Sequence, residues 1–168
     1  MTGTTTKPTV LIVEDDYYKL VQISAFIGQC LPGAELVTAK AVHSAKQKIR
    51  EILPDLVILD MSLPSYDIGK QESGGLPETF GGRELLGYLD FLDCAAPVVV
   101  VTQFEKFGRD EEEMDLHTLG EALKTSYPAN YRGIIFFQSA SDAWKLELSR
   151  ILREVMPSAS ATEGSNAG

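Results

Sequence analysis

The sequence predicts one α/β domain built on a doubly wound parallel sheet, and three observations carry that expectation. Short apolar runs ending in polar groups alternate five times with segments whose apolar residues recur at helical spacing. The runs are apolar throughout rather than alternating, as strands buried on both faces are. Each is separated from the next by enough chain for a crossover helix, which gives parallel strands with helices on both faces.

Taken in order, Val10–Val13 is the first strand and stops at Glu14-Asp15-Asp16. Tyr17, Leu20, Val21, Ile27 and Leu31 then fall at helical spacing and predict a helix that turns them inward, stopped by Pro32-Gly33. Leu36–Ala39 is a weaker second strand. Residues 42–53 form the second helix, with Ala45, Ile49, Ile52 and Leu53 on its inner face and Pro54 ending it. Leu56–Leu59 is the third strand and delivers Asp60 at its carboxyl end. Residues 65–81 hold Gly69, Gly74, Gly75, Pro77 and Gly81 without periodicity, which predicts a loop. A helix over 83–92 turns Leu85, Leu86, Leu89 and Leu92 inward, and Pro97–Thr102 is the fourth strand. Gly108–Met114 reads as an acidic linker, followed by Asp115 as N-cap of a helix carrying Leu116, Leu119 and Leu123. Ile134–Phe137 is the fifth strand. The last helix, capped by Ser139 or Ser141, carries Trp144, Leu148, Ile151, Leu152 and Val155, and Pro157 closes it. The expected organisation is a flexible lead over 1–8, a domain over 9–156 with extended loops at 65–81 and 105–131, and a disordered tail over 157–168.

With 168 residues and 44% hydrophobic content, the chain is long enough to bury a core without staples. Its formal net charge of −9 and the absence of any Lys/Arg patch argue against nucleic acid or a membrane surface as partner. Met1–Thr9 has no apolar stretch of the kind a leader carries, and no apolar run approaches bilayer length, so a cytoplasmic location is expected. Cys30 and Cys94 lack CxxC spacing and read as structural thiols. His43 and His117 have no ligand-type neighbour at metal spacing. The glycines of 74–82 do not make a GxxxxGK phosphate loop.

Doubly wound domains place their sites at the carboxyl ends of the strands. Those ends carry Glu14/Asp15/Asp16, Asp60/Ser62, Thr102/Gln103 and Gln138/Ser139. Carboxylates gathered in one place repel one another unless a cation lies among them, and hard oxygen ligands in this number suit Mg2+. A carboxylate beside such an ion attacks phosphoryl donors to give an aspartyl phosphate. On this reading Asp60 is the nucleophile, Glu14 and Asp15 are metal carboxylates, and Thr102 donates a hydroxyl to the phosphoryl group. Asp16 is assigned a local role as helix cap.

At these residues the sequence resembles the receiver domain of two-component response regulators. The run Val10-Leu-Ile-Val-Glu-Asp-Asp16 is similar to the family's first strand with its acidic pair, here Glu14 and Asp15. Pro54-Asp-Leu-Val-Ile-Leu-Asp-Met-Ser-Leu-Pro64 is similar to the segment carrying the phosphorylated aspartate, here Asp60. Gly82-Arg-Glu-Leu-Leu86 resembles the start of the third helix, and Pro97-Val-Val-Val-Val-Thr102 the fourth strand with its switch hydroxyl. The likeness covers about residues 9–155. It implies a flavodoxin-like fold with strand order 2-1-3-4-5, phosphorylation of Asp60, and Mg2+ held by Glu14, Asp15, Asp60 and the backbone carbonyl of Ser62. It also implies a sensor histidine kinase or phosphotransfer protein upstream and a protein effector downstream, with a homodimer through the last helix face as a further option.

Three departures stand out. The family's lysine after the fifth strand is missing, and Gln138 falls at its position; an amide donates a hydrogen bond but carries no charge. Lys106, in the loop after the fourth strand, is read as exposed and solvated. The stretch from Pro64 to Gly82 carries an insertion, and the region from Thr102 to Gly133 is long and acidic. Gln103 follows the switch threonine where a small residue is common, and the family's aromatic partner falls near Ile135.

The expected function is a stand-alone, non-enzymatic response regulator that signals by protein contact once Asp60 is phosphorylated. The alternative is a pseudo-receiver, the same fold serving as a phosphorylation-independent module. A hydrolase with an aspartyl nucleophile fits less well, because Ser62 stands where such enzymes carry a second aspartate. The leading reading requires the Glu14–Asp15 step to fold beside Asp60, within bridging distance of one divalent ion and with no basic group between them.

Overall fold

The structure, a computed structural model, describes residues 7–66, 81–108 and 110–157. Residues 1–6 of the expected lead over 1–8, the tail beyond 157, residues 67–80 of the central loop and residue 109 lie outside the described residues.

Strand β1 (Thr9–Val13) leads to helix α1 (Tyr17–Cys30), β2 (Glu35–Ala39), α2 (Val42–Ile52) and β3 (Leu56–Leu59). Then come α3 (Gly81–Phe91), β4 (Val98–Thr102), β5 (Lys106–Phe107), β6 (Met114–Asp115), α4 (Leu116–Ser126), β7 (Tyr131–Phe136) and α5 (Ala143–Val155). The main sheet is parallel throughout, in the order β2-β1-β3-β4-β7. Counted over its own five strands, that is the predicted order 2-1-3-4-5.

Its strands are apolar on both sides because both sides are covered. Val10, Ile12, Ile58, Val99 and Val101 pack against α1 and α5. Leu11, Val13, Val57, Leu59 and Val100 pack against α2, α3 and α4. Period-two alternation divides each strand between two cores, and each fully buried Val, Leu or Ile contributes about 1.5–3 kcal/mol. Trp144 lies in the core beneath α5, edge-on to Phe26, with ring centroids 5.5 Å apart.

Several expectations are corrected. On α1 the buried residues are Lys19, Leu20, Ile23 and Ile27, while Tyr17 and Val21 are exposed. Helix α2 ends at Ile52, and Leu53 adopts a left-handed conformation (φ 46°) that turns its side chain to solvent. The acidic linker is partly ordered: Lys106–Phe107 pairs antiparallel with Met114–Asp115, and Phe107 is buried in the core between them and α4. Helix α5 starts from Asp142, and Ser141 contributes by accepting the Ala143 N–H at 3.2 Å. Cys30 and Cys94 are half-buried and form no disulfide; His43 and His117 are exposed. No helix among the described residues is long and apolar enough to cross a membrane.

Candidate functional site

β1 and β3 are neighbours with Val13 opposite Leu59, so the residues that follow leave the sheet side by side. The ladder runs one step further: the Asp60 N–H donates to the Val13 carbonyl at 3.0 Å and the Glu14 N–H to the Ala39 carbonyl at 3.0 Å. Asp16 closes the turn into α1 as its N-cap, its Oδ1 accepting the Lys19 N–H at 3.0 Å. Glu14 Oε1 accepts the Asp16 N–H at 2.9 Å. The result brings one carboxylate oxygen each from Glu14, Asp15 and Asp60 within 4.8 Å of one another.

A basic group stands among them, contrary to the requirement drawn from the sequence. Lys19 is only 2% exposed, and its Nζ lies 2.5 Å from Glu14 Oε2 and 3.2 Å from Asp60 Oδ2. Sequence reasoning missed it because five apolar residues put the inner face of α1 one position aside. The signal was present: Lys19, Ile23 and Ile27 recur at intervals of four and so share a face. A lysine there is buried only because two carboxylates receive its charge.

Lys19 fills the space between Glu14 and Asp60, so the sequence requirement fails for Glu14, while Asp15 and Asp60 still border one open hollow. Glu14 is enclosed and paired. Asp15 is exposed, and the hollow, of about 440 Å³, is lined by Asp15, Asp16, Asp60, Ser62, Gln103, Phe104, Lys106 and Gly108. Burial pushes both inner carboxyls upward, Glu14 to about 8 and Asp60 in the same direction, and the Lys19 ammonium opposes the rise at each. Carboxylates so enclosed stay ionised only while a cation stands beside them.

The remaining expected residues fall as follows. Ser62 borders the hollow, and its N–H donates to Asp60 Oδ1 at a long 3.4 Å. Thr102 is fully buried at the end of β4, where its hydroxyl oxygen accepts the Phe104 N–H at 3.3 Å. Lys106 is exposed, paired with Glu113 at 3.4 Å, and borders the hollow's rim. Gln138 is exposed and lines a different surface hollow with Phe136 and Ser141. The side chain after β7 that faces the acidic site is Phe137, whose ring centroid lies 5.9 Å from Lys19 Nζ. Ile135 is buried beside Trp144 in the core.

Two glycines lock the Asp60 segment to α3. The Gly82 N–H donates to the Met61 carbonyl at 2.9 Å. A Cβ on Gly82 would lie 2.5 Å from the Asp60 carbonyl oxygen, and one on Gly81 2.8 Å from that of Leu63. No side chain fits between this helix start and the backbone that aims Asp60.

The donor set of three carboxylates and a strand-end carbonyl suits a hard divalent ion. Since Lys19 is paired with Glu14, the carboxylates that border the hollow are those of Asp15 and Asp60, with Ser62 beside them.

No family model matches the chain. The Detocs response regulatory protein DtcB of Enterobacter cloacae is 25% identical over 148 residues, covering 87% of this chain and 99% of the relative. An uncharacterized protein y4jR of Sinorhizobium fredii is 27% identical over 136 residues, covering 80% and 90%. The signal receiver domain of a putative Luxo repressor protein from Vibrio parahaemolyticus superposes with a TM-score of 0.62 at 18% identity, over 95% of this chain and 99% of that one. The Mn(2+)-bound form of the response regulator Rcp1 matches with a TM-score of 0.57 at 19% identity, over 87% and 92%.

Proposed function

We propose that this chain, a receiver domain in fold and similar in sequence to response regulatory proteins, accepts a phosphoryl group on Asp60 and signals through protein contacts. The observation that carries the reading is the convergence of Glu14, Asp15 and Asp60 at adjoining strand ends, with Asp60 bordering an open hollow. Asp60 is fixed by the β1–β3 ladder and by Gly82, and its carboxylate is the nucleophile. A divalent ion, Mg2+ in the reading adopted here, fits Asp15, Asp60 and the Ser62 carbonyl. When bound, it would supply positive charge for the donor's phosphoryl oxygens.

The chain's own residues supply the rest. Asp16 and Glu14 shape the turn that presents Asp15. Thr102 is buried at the end of β4, and its hydroxyl oxygen accepts the N–H of Phe104, a residue that lines the hollow. The upstream partner is then a histidine kinase or phosphotransfer protein, and the downstream partner a protein effector. Added charge at Asp60 would bias the β4–α4 segment. The cytoplasm is the setting this chemistry implies.

The buried Lys19 contact favours a second reading, a module whose own ammonium compensates its carboxylates and which works without phosphorylation. Incubation of the full chain with Mg2+ and phosphoramidate, read by intact mass, separates the two. The switch gives a phosphoryl increment that Asp60→Asn abolishes. The unphosphorylated module gives no increment and no Mg2+ affinity by calorimetry.

A further inference from the structure

We infer that Lys19, delivered from the first turn of α1, is the cation that steadies the phosphoryl group on Asp60. The inference rests on the reading of Asp60 as acceptor. Phosphoryl transfer to a carboxylate leaves negative charge on the phosphoryl oxygens, and a fixed donor aimed at that charge stabilises the transition state more than a mobile one. Among the described residues, Lys19 is the cation in contact with Asp60, 3.2 Å from Oδ2. Lys106 is 72% exposed and drawn to Glu113. The end of β7 offers the site the apolar Phe137.

Lys19 is also held in place before any donor arrives. Its N–H is bound by the Asp16 cap, its side chain is 1% exposed, and the Phe137 ring stands against its head. An ammonium has three donors. Lys19 Nζ stands at ion-pair distance from both Glu14 and Asp60 and makes no aligned hydrogen bond, so its donors can turn to a phosphoryl oxygen on Asp60. In the transfer, the Asp60 carboxylate forms a bond to phosphorus as the donor's P–N or P–O bond breaks. The electron pair leaves with the donor atom, which takes its proton from solvent. Lys19 keeps its own protons throughout and acts by charge and hydrogen bonding alone.

The test compares the full chain with Lys19→Met for the rate of phosphoryl mass gain from phosphoramidate, with Mg2+ binding followed by calorimetry. We expect the variant to bind Mg2+ and to gain label about 100-fold more slowly, as for loss of one preorganised donor. Labelling at the wild-type rate overturns the role of Lys19 and leaves Asp60 as acceptor. Slow labelling with Mg2+ binding lost also overturns it, since Lys19 would then only hold the site together. A wild-type chain that takes no label brings down the acceptor reading itself. Should Lys19→Met fail to fold, the wild-type crystal structure with Mg2+ and beryllofluoride decides. Lys19 Nζ within hydrogen-bond reach of a fluoride supports the inference; Nζ on Glu14 alone overturns it.

Discussion

Gly82→Ala is the substitution whose sign the geometry settles against expectation. In a helix interior, alanine in place of glycine stabilises by about 0.8–1.0 kcal/mol. Gly82 lies in the first turn of α3, yet its added Cβ would stand 2.5 Å from the Asp60 carbonyl oxygen and 2.9 Å from the Met61 Cα. Carbon contacts are comfortable near 3.5–4.0 Å, so about 1 Å of movement is required, and the obstructing atoms are backbone with no rotamer to escape into. Overpacking of this kind costs about 1–3 kcal/mol, which exceeds the propensity gain. Net destabilisation of about 1–2 kcal/mol should lower the melting temperature by several degrees for a chain of this size. Because the displaced backbone aims Asp60, labelling from phosphoramidate should also slow, by as much as about 100-fold for an ångström of misplacement. The control is Gly28→Ala in the exposed part of α1, where an added Cβ meets nothing within 4 Å and the propensity gain stands alone. Thermal melts and labelling rates should therefore both fall for Gly82→Ala, whereas Gly28→Ala should melt higher or unchanged and label at the wild-type rate. A Gly82→Ala protein as stable and as readily labelled as wild type would refute the claim that this contact positions Asp60.

Other outcomes follow from the same geometry. Asn130 is buried, with Nδ2 donating to the Cys94 carbonyl at 2.7 Å and the Ala96 carbonyl at 2.8 Å. Asn130→Ala should cost about 1–3 kcal/mol in denaturant unfolding while leaving Asp60 labelling unchanged, because it acts at the opposite end of the sheet. Mg2+ at about 100 times its Kd should stabilise the wild-type chain by about 2.7 kcal/mol, and Asp15→Asn should largely lose that increment in a thermal shift assay. Asp115 carries a carboxyl held below its usual range, chiefly by the Thr118 N–H at the α4 N-cap. A depressed pKa stabilises above the unfolded-state value and fades as pH falls through the folded one. An NMR titration should accordingly place its midpoint below that of an unfolded aspartate, and Asp115→Asn should flatten the acid limb of stability near that pH.

The architecture was legible in the sequence because buried parallel strands leave uninterrupted apolar runs, which need no knowledge of neighbours to recognise. Asp60, Glu14 and Asp15 were legible for a related reason: strand ends in such sheets converge. Lys19 was not, since a charged residue on an apolar face contradicts the pattern that defines the face. Its burial depends on Glu14 and Asp60, which come from two other elements. The β5–β6 hairpin escaped notice because each strand spans two residues, too short for periodicity. Gln138 was placed by its position after the fifth strand, whereas the ladder runs on to Phe137, which is buried like Ile135 two residues before it, and leaves Gln138 exposed. Gly82 could be seen in the sequence, but its reason, contact with the Asp60 backbone, could not.

The most direct measurement is to locate the phosphoryl linkage itself. Acyl phosphates are reduced by borohydride, so a labelled aspartate becomes homoserine and is identified by peptide mass spectrometry. Reduction at position 60 after exposure to phosphoramidate and Mg2+ is the result we expect. Homoserine at another aspartate, a reduced glutamate, or no reduced residue at all in a folded chain that binds Mg2+, would contradict the account.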